Sequence, residues 1–186
     1  MGFLGPGPLR VHIEHANYYL EAIPPDTTRL VDLGSGGGLP GLPLLLALPD
    51  TQGRLVDGSE KRCQFLSESL PQLGLEDRVE VVLGRAEKLG HLDEHRGWAD
   101  VVVSRSFGAP HHTVECASGF VRAGGLIVIS EPPGGRRWPV DQLAKYGITV
   151  EPSSSHVAIL KTEQGPLDGY PRSFKRQGRK PMFTFD

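Results

Sequence analysis

The residues with the most chemical potential stand at regular places along the chain. Asp32 precedes Gly34, Gly36 and Gly38, which lie between an apolar run at 29–33 and a leucine-rich segment opening near Pro40 or Pro43. A glycine-rich turn between strand and helix lets backbone N–H groups approach a ligand, and the helix N-terminus adds partial positive charge. That chemistry suits a nucleotide-like cofactor. Asp57 closes the next apolar run, 54–57, near the roughly 20-residue offset at which an acidic residue binds ribose hydroxyls. It can also cap the helix that follows, and the two duties are compatible. Ala86 and Glu87 come after VEVVL, where a backbone amide beside a small side chain, with a carboxylate next to it, can read the edge of a purine. The plain alternative for Glu87 is a first-turn acid that complements a helix dipole. Arg105 ends the run ADVVVS, and the carboxyl ends of parallel strands line the ligand crevice. Phe107 either stacks on an incoming base or belongs to the core.

Elements that could hold these residues follow from periodicity. Ile13, Ala16, Leu20 and Ile23 recur at helical spacing before Pro24 and Pro25 stop the helix. Short apolar runs predict seven strands, at 29–33, 54–57, 79–83, 99–104, 124–130, 148–150 and 156–161. Between them, residues 59–73 predict a helix capped by Ser59 that buries Phe65, Leu66, Leu70 and Leu73. Pro110 opens another with Val114, Ala117 and Val121 inward, and residues 138–146 form a short one closed by Gly147. Strands alternating with helices make an α/β protein. The expected organisation is a single domain over 1–186, with a loose arm at 1–9 and a basic, aromatic tail at 170–186.

Composition narrows the functional classes. A chain of 186 residues suffices to bury about 70% of its unfolded surface. No apolar run reaches the roughly 18–20 residues of a membrane span, and MGFLGPGPLR lacks the apolar core of a signal peptide. The expectation is therefore a cytoplasmic protein without membrane contact. Cys63 and Cys116 both fall in predicted helices, which disfavours a disulfide scaffold or a zinc site. His12 and His15 flank the first helix, and His91 and His95 stand one turn apart. Neither pair has a third ligand nearby, so all four read as surface groups and no metal is expected. The net charge of −2 conceals an asymmetry, because from Arg172 onward five basic residues face Asp186 alone. Arg172, Lys175, Arg176, Arg179 and Lys180 interleave with Tyr170, Phe174 and Phe183, a composition that can neutralise phosphates and stack on bases. Arg85, Arg105, Arg136 and Arg137 are predicted on the crevice side, so the mouth suits a polyanion. The bland alternative for the tail is a solvated face.

The order Asp32, Gly34, Gly36, Gly38 resembles the first motif of class I S-adenosylmethionine (SAM) methyltransferases, whereas a dinucleotide fingerprint would place its third glycine at Leu39. SAM is accordingly preferred to NAD. Residues 104–107, SRSF, replace the Asn/Asp-Pro-Pro-aromatic motif of amine-methylating enzymes, and Cys116 is badly placed for covalent cytosine methylation. VDLGSGGGLPGLPL, LVDGSEKRCQFL, GRAEKL, VVVSRSF and YPRSFKRQGRKP together resemble the small-subunit (16S) ribosomal RNA guanine-N7 methyltransferase G family, also called glucose-inhibited division protein B.

That resemblance implies a class I SAM-dependent methyltransferase (Rossmann-like) fold, a seven-stranded mostly parallel sheet with one antiparallel strand near the C-terminal end. It also implies SAM contacts at Gly34, Leu39, Ala86, Glu87 and Arg105, the product S-adenosylhomocysteine, and ribosomal RNA or the small ribosomal subunit as partner of a monomeric protein. Guanine N7 has a lone pair and no proton, so its methylation needs alignment and water exclusion rather than a general base. The target base must be unpaired or flipped out, with Arg105 and Phe107 as candidates to position it. Against the family pattern the chain reads as a short form without the N-terminal helical segment and its Asn-Leu-Thr motif, and it has Ser130, Glu131 and Pro132 where Lys-Gly usually follows the fifth strand. Two other functions stay open, a SAM-dependent methyltransferase of a small molecule and a noncatalytic SAM- and RNA-binding relative.

Overall fold

The computed structural model describes residues 8–132, 138–154 and 156–185. Fourteen elements follow in the order α1 (Leu9–Leu20), β1 (Arg29–Leu33), α2 (Gly41–Ala47), β2 (Gln52–Asp57), α3 (Glu60–Leu73), β3 (Val79–Leu83), α4 (Ala86–Leu89), β4 (Ala99–Ser104), α5 (Pro110–Ser118), β5 (Val121–Ser130), α6 (Val140–Ala144), β6 (Ile148–Glu151), β7 (Val157–Thr162) and α7 (Phe174–Arg179). The strands form one sheet in the order β3-β2-β1-β4-β5-β7-β6. From β3 to β5 neighbouring strands run parallel, and β7 lies antiparallel to both β5 and β6. This is the expected seven-stranded fold with its inverted strand in place.

Period-two alternation divides the core. In β1, Leu30 packs with Ala16, Tyr19, Leu44 and Leu66 on the α1–α3 face, while Val31 and Leu33 pack with Val114, Ala117, Phe120 and Phe183 on the opposite face. Burial on both faces explains why the central strands read as near-continuous apolar runs. Asp32 shares the parity of Leu30 and therefore points toward α2. Strand order reverses between β1 and β4, and the crevice outside their carboxyl ends is where ligands bind in open α/β sheets.

Several local expectations are corrected. Ile13 and Leu73 are exposed and Phe65 is half-buried, so the buried stripes of α1 and α3 are narrower than the periodicity suggested. Val121 is not a residue of α5: it pairs with Ala99 and opens β5, ahead of a register shift between Ala99 and Val101. Ser59 makes no side-chain cap to α3. His95 is buried, its Nδ1 lying 3.2 Å from Arg54 Nη1, while His91 is exposed with Nε2 2.7 Å from the Pro171 carbonyl. Each cysteine is buried, and burial pushes the Cys116 thiol up to about 12.

The C-terminal tail is a docked strap. Arg172 inserts against α5, where its Nε and Nη2 donate to Glu115 Oε1 and Oε2 at 2.8 and 2.6 Å, and its backbone N–H donates to Oε1 at 2.8 Å. Gln177 donates to the Arg172 carbonyl at 2.6 Å, and the Phe174 ring stacks on His112 at 4.2 Å. Met182 and Phe183 enter the core, where full burial of such side chains contributes about 1.5–3 kcal/mol each.

Candidate active site

Among the described residues, three cavities join at the carboxyl ends of the central strands. The first, about 320 Å3, lies between the β1, β2 and β3 ends and is lined by Gly34, Asp57, Gly58, Arg62, Ala86, Glu87, Phe107 and Phe174. A second, about 410 Å3, spreads over the glycine turn between Leu39, His12, His15, Arg105 and Glu131. The two share Gly34, Arg62 and Ser106. The third, about 270 Å3, opens between the ends of β4 and β5.

In the first cavity the glycine turn and β2 are clamped together by Asp57. Its Oδ2 accepts the Gly36 N–H at 2.9 Å and its Oδ1 accepts the Ser59 N–H at 2.8 Å, with the Arg62 guanidinium 3.5 Å away. Gly34 and Ser35 N–H donate to the Val56 carbonyl at 2.8 and 3.0 Å, which locks the turn onto β2. At the far end, Glu87 Oε1 receives Arg85 Nε at 3.2 Å, while Oε2 is buried with no hydrogen-bond partner. A buried acceptor without a donor is costly, by about 1–3 kcal/mol, and its place on a cavity wall marks where a ligand N–H fits. Phe174, arriving on the strap, has the Arg85 guanidinium over its ring at 5.1 Å and completes this wall.

In the second cavity Arg105 Nη1 lies 3.3 Å from His12 Nδ1. His15 Nδ1 is buried without a partner, and burial, reinforced by the Arg105 charge, lowers its pKa. Ser106, between the three cavities, adopts φ +58°, the sole positive φ outside glycine among the described residues. Such backbone strain concentrates at functional sites.

This geometry accommodates a purine nucleoside carrying an amino-acid arm: a turn without side chains at Gly34, Gly36 and Gly37, a fixed carboxylate at Asp57, and an orphaned acceptor at Glu87. Residues 9–131 match the family described as GidB, rRNA small subunit methyltransferase G. The chain belongs to that family. Members named ribosomal RNA small subunit methyltransferase G include one from Kineococcus radiotolerans, 37% identical over 81% of this chain and 56% of its own length. Another, from Deinococcus deserti, is 32% identical over 83% of this chain and 68% of its own. The chain spans about half the length of the first relatives it matches, at 56%, 46% and 43%. Its fold is similar to that of a precorrin-6y C5,15-methyltransferase from Geobacter metallireducens, with TM-score 0.54 and 16% identity over 79% of this chain and 85% of that one. Methyltransferase G proteins are SAM-dependent enzymes.

Within this family member, Gly34, Gly36, Leu39, Asp57, Ala86, Glu87 and Arg105 all line the first two cavities, and Phe107 lines the first and third. Asp32 and Gly38 do not. Asp32 is fully buried beneath the turn, its Oδ2 accepting the Gly41 N–H at 3.0 Å, so it anchors the start of α2 instead of meeting a ligand. A Cβ on Gly38 would lie 2.3 Å from Leu42 Cδ1, so this glycine serves the close approach of turn and helix. Arg172 is spent on Glu115 and is not presented to RNA, and the buried Phe183 cannot stack on a base. Lys175, Arg176, Arg179 and Lys180 are exposed along and just after α7, and Arg136 and Arg137 lie outside the described residues. His12, His15 and Ser106 were missed as site residues. For the histidines the α1 face gave the only signal, and the packing of α1 over the turn decides it.

Burial raises the Asp32 pKa from 3.8 to about 7. The folded state thus binds this proton more tightly than the unfolded chain, and the contribution to stability declines as pH rises from about 4 to about 7. Asp32→Asn keeps the acceptor for Gly41. Its stability relative to the parent chain is expected to improve across that window, measured by urea unfolding at pH 5 and pH 8; a constant difference would exclude the linkage.

Proposed function

We propose that this protein is a SAM-dependent methyltransferase acting on N7 of a guanine in small-subunit ribosomal RNA. The observation carrying this reading is the continuous crevice in which Asp57 and Glu87 flank one compartment while Arg105, His12 and Glu131 surround the next. When bound, SAM supplies an electrophilic methyl group on a sulfonium. The chain's own residues bind and orient. Asp57, immobilised by two backbone N–H groups, offers its remaining lone pairs to ribose hydroxyls, and Glu87 Oε2 takes a purine N–H beside Ala86. Gly34 and Gly36 leave room for the amino-acid arm, and the Arg105 guanidinium is the donor for that arm's carboxylate. Leu39, Phe107 and Phe174 exclude water. No general base is required at N7, which fits the inert burial of Cys116.

RNA docking is assigned to the exposed Lys175, Arg176, Arg179 and Lys180, which begin beside Phe174 at the cavity rim. Their phosphate contacts predict steep salt dependence. A monomer acting inside the cell on ribosomal RNA or the assembled small subunit, with no metal and no membrane contact, completes the reading. Among the described residues there is no group of three metal-binding side chains and no helix long and apolar enough to cross a membrane.

The test is transfer of radiolabelled methyl to small subunits lacking the modification, with incorporation mapped to guanine N7. Transfer to another position, or none with SAM bound, would refute the assignment. Asp57→Ala removes one or two hydrogen bonds to a charged group, worth about 1.5–3 kcal/mol, so SAM should bind about 10- to 100-fold more weakly by calorimetry. Unchanged affinity would move the ribose elsewhere.

A further inference from the structure

Helix α1 reaches the site from beneath as well as at its rim. Tyr19 stands about two turns beyond His12 on the same face of the helix and is fully buried. Its hydroxyl donates to the Ser104 carbonyl at 2.9 Å, and Ser130, at the end of β5, is the other hydrogen-bonding group beside it. Pairing of β1 with β4 ends at Asp32 and Val103, and one residue further on the Ser104 hydroxyl donates to the Leu33 carbonyl at 2.9 Å. Tyr19, Ser104 and Leu33 thus form a hydrogen-bonded chain from α1 through β4 to β1, and all three are sealed from solvent. Leu33 runs into Gly34 and Ser104 into Arg105, so the chain joins the two strand ends just where they part to open the crevice. Past Ser104, Ser106 has no backbone hydrogen-bond partner among the described residues, and the loop inherits its course from Ser104.

We infer that Tyr19 is a positioning residue for the cofactor: by holding the Ser104 carbonyl it fixes the point from which the Arg105 side chain extends into the second cavity. This rests on the role proposed above for Arg105 and adds the group that aims it. Arg105 begins one residue beyond the anchor, and its Nη1 lies 3.3 Å from His12 Nδ1 on the same helix. A guanidinium at the end of a long stem meets a carboxylate in paired geometry only when the base of that stem is held in place. Tyr19 touches no ligand itself. Its influence is confined to the amino-acid arm, because Asp57, Ala86 and Glu87 follow β2 and β3 on the far side of the glycine turn. A phenyl ring would fill the same space, so the hydroxyl supplies the hold on Ser104 and little else.

The test titrates the full chain by calorimetry with two probes, S-adenosylhomocysteine and 5′-methylthioadenosine, which shares the nucleoside and thioether and lacks the amino-acid arm. The parent chain should bind S-adenosylhomocysteine the more tightly. Tyr19→Phe should weaken S-adenosylhomocysteine by about 3- to 10-fold, the size of effect one neutral hydrogen bond carries, and leave 5′-methylthioadenosine within about 2-fold. Ser104→Ala, which cuts the other link of the chain, should do the same. In an Arg105→Met background, where no guanidinium is left to aim, adding Tyr19→Phe should cost no further affinity. Parental affinity of Tyr19→Phe for S-adenosylhomocysteine, equal weakening of both probes, or additive losses in the double variant would overturn the inference. A parent chain that binds the two probes equally would overturn the Arg105 contact and this inference with it. Absence of methyl transfer to small subunits, with the arm preference present in the parent and lost in Tyr19→Phe, would refute the proposed reaction and uphold the role of Tyr19.

Discussion

Gly34→Val is expected to abolish SAM binding while leaving a folded protein. Gly34 has φ +77°, a region that costs an L side chain about 1–2 kcal/mol, and a Cβ there would lie 2.7 Å from Phe107 Cδ2. Phe107 would have to move, and it forms the wall common to the first and third cavities. Gly34 also lies on the floor shared by the first two cavities, so the two branches of valine displace whatever spans them. A loss beyond about 100-fold, roughly 2.7 kcal/mol, is expected by calorimetry. Thermal unfolding in the absence of SAM separates this from misfolding: binding lost at a melting temperature near the parent's assigns the effect to the site. SAM affinity within a few-fold of the parent would remove the glycine turn from the binding site.

The second large effect concerns the strap. Glu115 is fully buried and its partner Arg172 nearly so, with three hydrogen bonds between them. Removing one member of a buried pair leaves an uncompensated charge and costs about 3–5 kcal/mol. At about 2–4 °C per kcal/mol for a chain of this size, Arg172→Met should lower the melting temperature by about 6–20 °C. Glu115→Met alone should do the same. The double variant Glu115→Met with Arg172→Met, which buries no lone charge, should recover much of the loss. Because Phe174 lies two residues from this anchor and lines the first cavity, the single variants should also bind SAM more weakly. Equal melting temperatures for parent and Arg172→Met would mean the strap is held by its other contacts, the Phe174–His112 stack, the His91–Pro171 hydrogen bond and the buried Met182 and Phe183.

These two sites show how unevenly the sequence could be read. The glycine turn was legible because its requirement is local: strand, small residues and helix occupy adjacent positions, and positive φ at Gly34 and Gly38 follows from the turn. Asp57 and Glu87 were legible for a related reason, since each follows a strand whose end must reach the crevice. The strap was not. Arg172 looks like its basic neighbours in one dimension, and only the buried Glu115, 57 residues away, separates it from them. His95 reads as a surface group in one dimension because nothing nearby in sequence announces Arg54.

Asp32 illustrates the division most sharply. Its spacing before the glycines marks it as part of the motif, yet strand parity turns it toward α2 and the helix covers it completely. By itself the sequence determined the alternation of strands and helices, the glycine turn and the carboxylates at strand ends, because these depend on periodicity and chain-local sterics, whereas the inverted strand was expected only through the family resemblance. Tertiary structure alone decided which charged groups meet a partner, which face solvent, and that α1 and the strap wall the crevice with His12, His15 and Phe174. The physical reason is that burial and long-range pairing set the energy of a charge, and neither is a property of neighbouring residues in the chain.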